Sequence, residues 1–397
     1  MSKESDLVEI SRELIAADTV SDRNSRTAME RLGERLDAAG FRVWFQHWGA
    51  EPDEKANLVA VAGPPEPQGL ILSGHVDVVP FEDQPGWTRD PLALAFEGDR
   101  VYGRGTTDMK VFLAQCVAAM GQIDLGRLRR PVGLIFTSDE EVGCAGAGRL
   151  VPELASAFGE VPMPRLCWIG EPTSWQVFHA HKGIVSFGVE VHGAGGHSSL
   201  PAEGVNAIAV AAQLIGRIGE IQSELRARPD AAYAELFPGA PYTTLNFGTV
   251  RGGSALNMIA EECHFDVSYR PLPDGDPLAL FERIRARLVE DPPRDWGSGR
   301  GAVEVRVGKP FVTPGMNSRR GTALETALRE HFDEHAVGAA PFCTDGGRFE
   351  AAGIDSIICG PGDLDQAHQP NESVSRAAFE SGTEHVRALT ERLCGSD

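Results

Sequence analysis

Gly69-Leu70-Ile71-Leu72-Ser73-Gly74-His75-Val76-Asp77 is the stretch on which the reading of this chain turns. A short apolar run between glycines reads as a buried strand, and this one ends in a histidine and an aspartate. The pattern recurs. Residues 131–137 form a second apolar run and lead into Ser138-Asp139-Glu140-Glu141, and residues 165–169 form a third, ending at Gly170-Glu171-Pro172. Residues 57–63 read as a further strand. Between these runs, Leu32, Leu36 and Ala39 repeat at helical spacing before Gly40, and residues 109–120 read as an apolar helix. Alternating strands and helices predict an α/β sheet with helices on both faces. Ligands of such sheets collect at the carboxyl ends of the strands. His75, Asp77, Glu140, Glu141 and Glu171 all fall on that side, so the rim of the sheet is expected to hold a metal.

The texture changes after His181-Lys182-Gly183. Residues 184–192 alternate like a half-exposed strand, 205–226 read as a long helix, and 243–250 and 263–269 as strands. A helix over 278–289 and a strand over 302–307 complete the set. This is the split βαβ order of a ferredoxin-like module. The expected organisation is a catalytic domain over 1–182, an inserted α+β domain over 183–311, and the rest of the catalytic domain over 312–397. Residues 311–316 are expected to lead back, and an amphipathic helix over 376–393 to close the chain. The Pro/Gly/Arg-rich stretch 291–301 reads as an exposed loop.

Composition narrows the partners. A net charge of −20 in 397 residues excludes the basic face that nucleic acid or an anionic membrane requires. Seven cysteines with no CxxC pair, lying mostly in apolar segments, predict buried thiols in a reducing compartment. The N-terminus, Met1 to Leu14, is charged and amphipathic, with Leu7, Ile10 and Leu14 at helical spacing, and lacks the basic start and apolar run of a signal peptide. No apolar run has the length of a bilayer span. A cytoplasmic protein is expected.

Taken singly, the candidate ligands have ordinary alternatives. His75 and Asp77 share a face of an extended segment, so both could ligate, or Asp77 could orient the His75 ring; a turn with a capping Asp is the plain reading. Asp108 follows Gly103-Arg104-Gly105-Thr106-Thr107 and precedes a helix, where an N-cap is common. The third glycine of a dinucleotide fingerprint is missing there. Glu140 and Glu141, being adjacent, point in different directions, which suits one ligand and one general base. His197, in Gly195-Gly196-His197-Ser198-Ser199, could enter a site from the inserted module, and His368 follows an apolar run over 354–359. His331-Phe332-Asp333-Glu334-His335 matches the HxxEH zinc pattern, but its place at a helix C-terminus favours the dipole and water. No GxSxG elbow, Walker A loop or HExxH is present.

In order, SGHVDVVP, GRGTTDMK, TSDEE, GEPTS, GHSSLP and AHQPNE make the chain, from Ser73 to Val374, resemble the M20 metallopeptidase family. Pro241-Tyr242-Thr243-Thr244-Leu245-Asn246 and Arg251-Gly252-Gly253-Ser254-Ala255-Leu256-Asn257 resemble its acetylornithine deacetylase branch. The resemblance implies two divalent cations, zinc or alternatively cobalt. It assigns His75 and Glu171 to one, Glu141 and His368 to the other, and Asp108 to both. It makes Glu140 the base, Asp77 the partner of His75, and His197 an oxyanion donor reaching the site of a second subunit in a homodimer joined through the inserted lid domain. Asn257 and Arg270 would hold the substrate carboxylate. The implied activity is deacylation of a small N-acyl amino acid, N-acetyl-L-ornithine first. Desuccinylase, aminoacylase and dipeptidase chemistry are the alternatives within the family, and a binding protein with a decayed site the alternative outside it. A cis bond after Asp108 is also implied. One departure stands out: Val111 follows Lys110 where the family usually has glycine.

Overall fold

The computed structural model describes residues 3–290 and 301–395. Residues 3–181 and 316–395 form one unit, and 182–290 with 301–315 a second. The first unit is built on a six-stranded sheet. Its order is Arg42–Trp48, Lys55–Ala62, Val132–Thr137, Leu70–His75, Leu166–Ile169, Asp355–Ile358. The last four strands are parallel, and the two at the other edge are antiparallel.

Burial explains which strands were legible. Lys55–Ala62, Leu70–His75 and Val132–Thr137 are buried along their whole length, so they read as unbroken apolar runs. Arg42–Trp48 was not foreseen. It is an edge strand, mostly half-buried, whose mixed Arg, Gln, His and Trp content hides the period. The helix Lys110–Met120 is buried at every position. It packs against the N-terminal helix Lys3–Ala16 and the closing helix Arg376–Cys394, which is why it has no polar face. Val111 is one of its core residues.

The second unit carries an antiparallel sheet in the order Thr244–Gly252, Glu262–Arg270, Ile184–His192, Glu304–Val307. That is the ferredoxin-like order. Helix Ala207–Arg226 lays Val210, Ala211, Leu214, Ile218 and Ile221 on the sheet. Its start is capped by Asn206, whose side chain accepts from the N–H groups of Ile208 and Ala209. The segment expected to lead back at 311 stays in this unit. Phe311–Thr313 pairs with Ile184–Val185–Ser186, because the free end of that strand still offers backbone partners. Met316–Asn317 then pairs with Ala180–His181 of the first unit. The loop expected over 291–301 lies, up to residue 300, outside the described residues. Among the described residues no helix is long and apolar enough to cross a membrane. All seven cysteines are free, and all but Cys343 are buried.

Candidate metal centre

Three parallel strands end at the centre. Leu70–His75 delivers His75, the turn after Val132–Thr137 delivers Glu140 and Glu141, and the turn after Leu166–Ile169 delivers Glu171. Asp108 arrives from the loop before the buried helix, through a cis Asp108–Met109 peptide. His368 arrives from the loop after Asp355–Ile358.

The carboxylate of Asp108 lies between the two histidines. Its Oδ1 is 3.1 Å from His75 Nε2 and its Oδ2 is 3.2 Å from His368 Nε2. Around the first histidine, Glu171 Oε1 stands 3.6 Å from His75 Nε2. Around the second, Glu141 Oε2 stands 3.1 Å from His368 Nε2. Donor atoms of His75, Asp108 and Glu141 lie within 4.8 Å of one another, and so do those of His75, Glu140 and Glu171. Two donors about 2.0–2.1 Å from one zinc ion stand roughly 3.3 Å apart at a tetrahedral angle. The observed separations fit that requirement.

The tautomer of His75 follows from its other nitrogen. Nδ1 is 2.9 Å from the Asp77 carbonyl oxygen, which can only accept. Nδ1 therefore carries a proton, which leaves Nε2, facing the carboxylates, as the nitrogen that would bind a cation once its own proton is displaced. The Asp77 side chain does something further. Its Oδ1 accepts from the Glu140 N–H and its Oδ2 from the Glu141 N–H, each at 3.1 Å, with Ser21 Oγ donating to Oδ2 at 2.8 Å. Its Oδ1 is 3.6 Å from His75 Nδ1. The buried Asp77 thus fixes the turn that presents both glutamates.

The electrostatics match a cation site. Burial pushes Glu140 and Glu171 well above the usual carboxylate range, and pushes Glu141 up as well, with neighbouring carboxylates adding to each. Burial also disfavours the charged form of His75, but Glu171, Asp108 and Glu140 outweigh it and hold the imidazole well above its ordinary value. His368 is raised to about 10 by its hydrogen bonds to Asp108 and Glu141. Burial opposes ionisation of Asp108 too, yet the hydrogen bonds from His368 and His75 prevail and hold it below the carboxylate range. Too many carboxylates share too little water here, and protons are retained to balance them. Divalent cations relieve the same imbalance by displacing those protons, so the donor set fits a pair of them.

Residues outside the expected set also converge. Asp345 is buried behind Glu140, takes a 2.6 Å hydrogen bond from Thr137 Oγ1, and is pushed by burial to about 6. Cys144 Sγ is 3.4 Å from Glu140 Oε1. Thr344-Asp345-Gly346-Gly347, a polar turn before a short helix, was the available signal for Asp345. His197, Asn257 and Arg270 belong to the second unit. There Gly196–His197 pairs with Met258–Ile259, next to Asn257, and Ser199 Oγ lies 2.7 Å from His197 Nδ1. Arg270 ends the strand Glu262–Arg270. The HxxEH match is split by the fold. Its helix ends at Phe332, Asp333 is left-handed, His331 faces His385 at 2.9 Å and His335 faces Asp333 at 3.2 Å. None of these residues joins a metal-binding group among the described residues.

Residues 71–392 match the model of peptidase family M20/M25/M40. The chain belongs to this family. It is accordingly a metal-dependent hydrolase of amide bonds, and the residues above form its candidate metal-ligand groups. It is 33% identical over 393 residues to the acetylornithine deacetylase of Proteus mirabilis (strain HI4320), covering 98% of this chain and 96% of that protein. The acetylornithine deacetylase of Edwardsiella ictaluri (strain 93-146) is 34% identical over 370 residues, covering 92% and 91%. Solved M20 structures share the fold. The metallo-carboxypeptidase Sso-CP2 of Sulfolobus solfataricus superposes with a TM-score of 0.73 at 18% identity, covering 97% of this chain and 98% of that one. A dinuclear metal-binding M20 peptidase of Bacillus subtilis gives 0.64 at 14%, covering 98% of each.

Proposed function

We propose that this M20 enzyme removes the acyl group of a small N-acyl amino acid, with N-acetyl-L-ornithine as substrate. The single observation that carries the site assignment is the Asp108 carboxylate, one oxygen toward His75 and the other toward His368. His75 and Glu171 would hold one cation, Glu141 and His368 the other, and Asp108 both. Two nitrogen donors among carboxylates suit zinc, and cobalt as a substitute. When bound, such a pair polarises the amide carbonyl and lowers the pKa of water.

The remaining steps belong to side chains. Glu140, held by its N–H on Asp77, takes a proton from the attacking water and returns it to the leaving amine. Asp77 keeps the His75 tautomer and the glutamate turn in register. His197 would donate to the developing oxyanion. Asn257 and Arg270 would grip the substrate carboxylate, Arg270 through its planar fork of donors. His197 is assigned to the neighbour's centre, in a homodimer formed through an inserted lid domain over 183–311. The exposed Val250, Leu256 and Met258 of that region support an interface. The free thiols support a cytoplasmic setting.

The test is a hydrolysis screen with added zinc or cobalt, using N-acetyl-L-ornithine, N-succinyl-diaminopimelate, other N-acyl amino acids and dipeptides. The highest kcat/KM is expected on N-acetyl-L-ornithine. A clear preference for the succinylated substrate or for dipeptides would overturn the substrate. No turnover of any amide would overturn the reading as a whole.

A further inference from the structure

Asp108 and His368 come from loops far apart in sequence, yet both loops are tied to one buried carboxylate. Glu372 Oε1 accepts three backbone N–H groups of the Asp108 loop: Gly105 at 3.1 Å, Thr107 at 2.8 Å and Asp108 itself at 3.0 Å. Its Oε2 accepts from Arg104 Nη1 at 2.7 Å. Both partners are buried, Glu372 fully and Arg104 at 1% exposure. Arg104 continues outward. Its Nη2 donates to Gln84 Oε1, and the guanidinium lies 5.1 Å from the centre of the Trp87 ring. Trp87 Nε1 donates to the same Gln84 oxygen at 3.1 Å. Gln84 Nε2 in turn donates to the carbonyl oxygen of His368. His368 has φ of 60°, a left-handed conformation that side-chain-bearing residues rarely adopt, so its carbonyl needs a fixed partner to stay there.

We infer that Glu372, Arg104 and Gln84 are positioning residues that set the separation between the Asp108 carboxylate and the His368 imidazole, and thereby the cation affinity of that half of the centre. This rests on the reading in which Asp108 and His368 share a cation. A buried ion pair is a poor stabiliser in itself, since desolvation offsets most of the attraction. Here the carboxylate's remaining lone pairs are spent on the loop carrying Asp108. The arrangement holds geometry, as outer-shell partners of metal ligands do. A role in the fold alone would be different: Ser373–Ser375 pairs with Arg100–Tyr102, and loss of that join would lower melting temperature and leave cation affinity unmoved.

The experiment strips the full-length protein with chelator and titrates zinc back in competition with a chromophoric chelator, with melting temperature measured in parallel. Gln84→Met removes all three side-chain hydrogen bonds of Gln84 and leaves Arg104 paired with Glu372. It should weaken one of the two zinc-binding steps about 10–100-fold, with the other step and the melting temperature of the stripped protein unchanged. Glu372→Gln keeps an acceptor for the N–H groups but loses the charge facing Arg104, and should weaken the same step. If Glu372→Gln does not fold, Gln84→Met decides alone. Two unchanged affinities in Gln84→Met would overturn the inference. His368→Ala tells the two readings apart: it should lose one zinc equivalent, and if it kept both, the ligand assignment would fall and this inference with it.

Discussion

Replacing Glu140 by Gln separates the roles of two adjacent glutamates. Glu140 lies within ligating distance of His75 and Glu171, so the geometry by itself would also admit it as a ligand. In the proposed mechanism Glu140 is the proton carrier and Glu141, 3.1 Å from His368, the ligand. Glu140→Gln preserves shape, and the backbone N–H stays on Asp77, so the turn and Glu141 should not move. The loss is then that of a general base, ~10²–10⁴-fold in rate, or about 3–5 kcal/mol of barrier. Glu140 is half-buried; burial first, with Asp345, Glu141 and Asp77 adding to it against the opposing charge of His75, raises its proton affinity well above that of an ordinary carboxylate. The assay is initial rate on N-acetyl-L-ornithine with zinc-loaded protein, beside metal content by atomic emission. Turnover should collapse with two zinc ions per chain retained, whereas Glu141→Gln should lose one ion. A Glu140→Gln protein that loses metal, or keeps activity within tenfold of the parent, would refute the division of labour.

His197→Ala should lower kcat more than it raises KM, with metal content intact, because a donor to the oxyanion acts in the transition state. Mixing inactive His197→Ala and Glu140→Ala proteins should restore activity, since one site of the heterodimer keeps both groups; no recovery, with subunit exchange shown separately, would sink the crossing. His331→Ala, which disrupts the HxxEH match, should leave zinc content and kcat unchanged, and loss of a zinc ion would return that motif to consideration. Stripping the metal should lower the melting temperature, because an ion that binds only the folded chain at 100 times its Kd adds about 2.7 kcal/mol per site. Calorimetry with and without chelator checks this, and identical transitions would mean that no cation is bound in the folded state.

Much of the catalytic framework was legible in the sequence. The strands ending at His75, Thr137 and Ile169 are buried on both faces, and such strands need no partner to be recognised as apolar runs. The residues that follow them, Glu140, Glu141 and Glu171, are then delivered to the rim by chain connectivity. The second unit was legible for a similar reason: alternation in 184–192 and helical spacing from Val210 to Ile221 are local periods. The edge strand Arg42–Trp48 was not, because half-buried edges tolerate mixed residues.

What a one-dimensional pattern does not contain is which distant groups share a hydrogen bond. Asp77 follows His75 closely, so the sequence offered it as that ring's partner; the fold gives its carboxylate to the N–H groups of Glu140 and Glu141. Glu372 stands in a phrase that marked the family, but nothing local says that it accepts the N–H of Asp108. Phe311–Thr313 looked like a return to the first unit and joined the second unit's sheet, since the vacant end of strand Ile184–His192 decides its pairing. Residue types and their order determined the strands, the donors and the family, because burial and periodicity are properties of the chain itself. The brace of Glu372, Arg104 and Gln84 behind Asp108 and His368 was decided only by tertiary structure, because a buried polar group bonds to whatever partner the packed chain brings within about 3 Å.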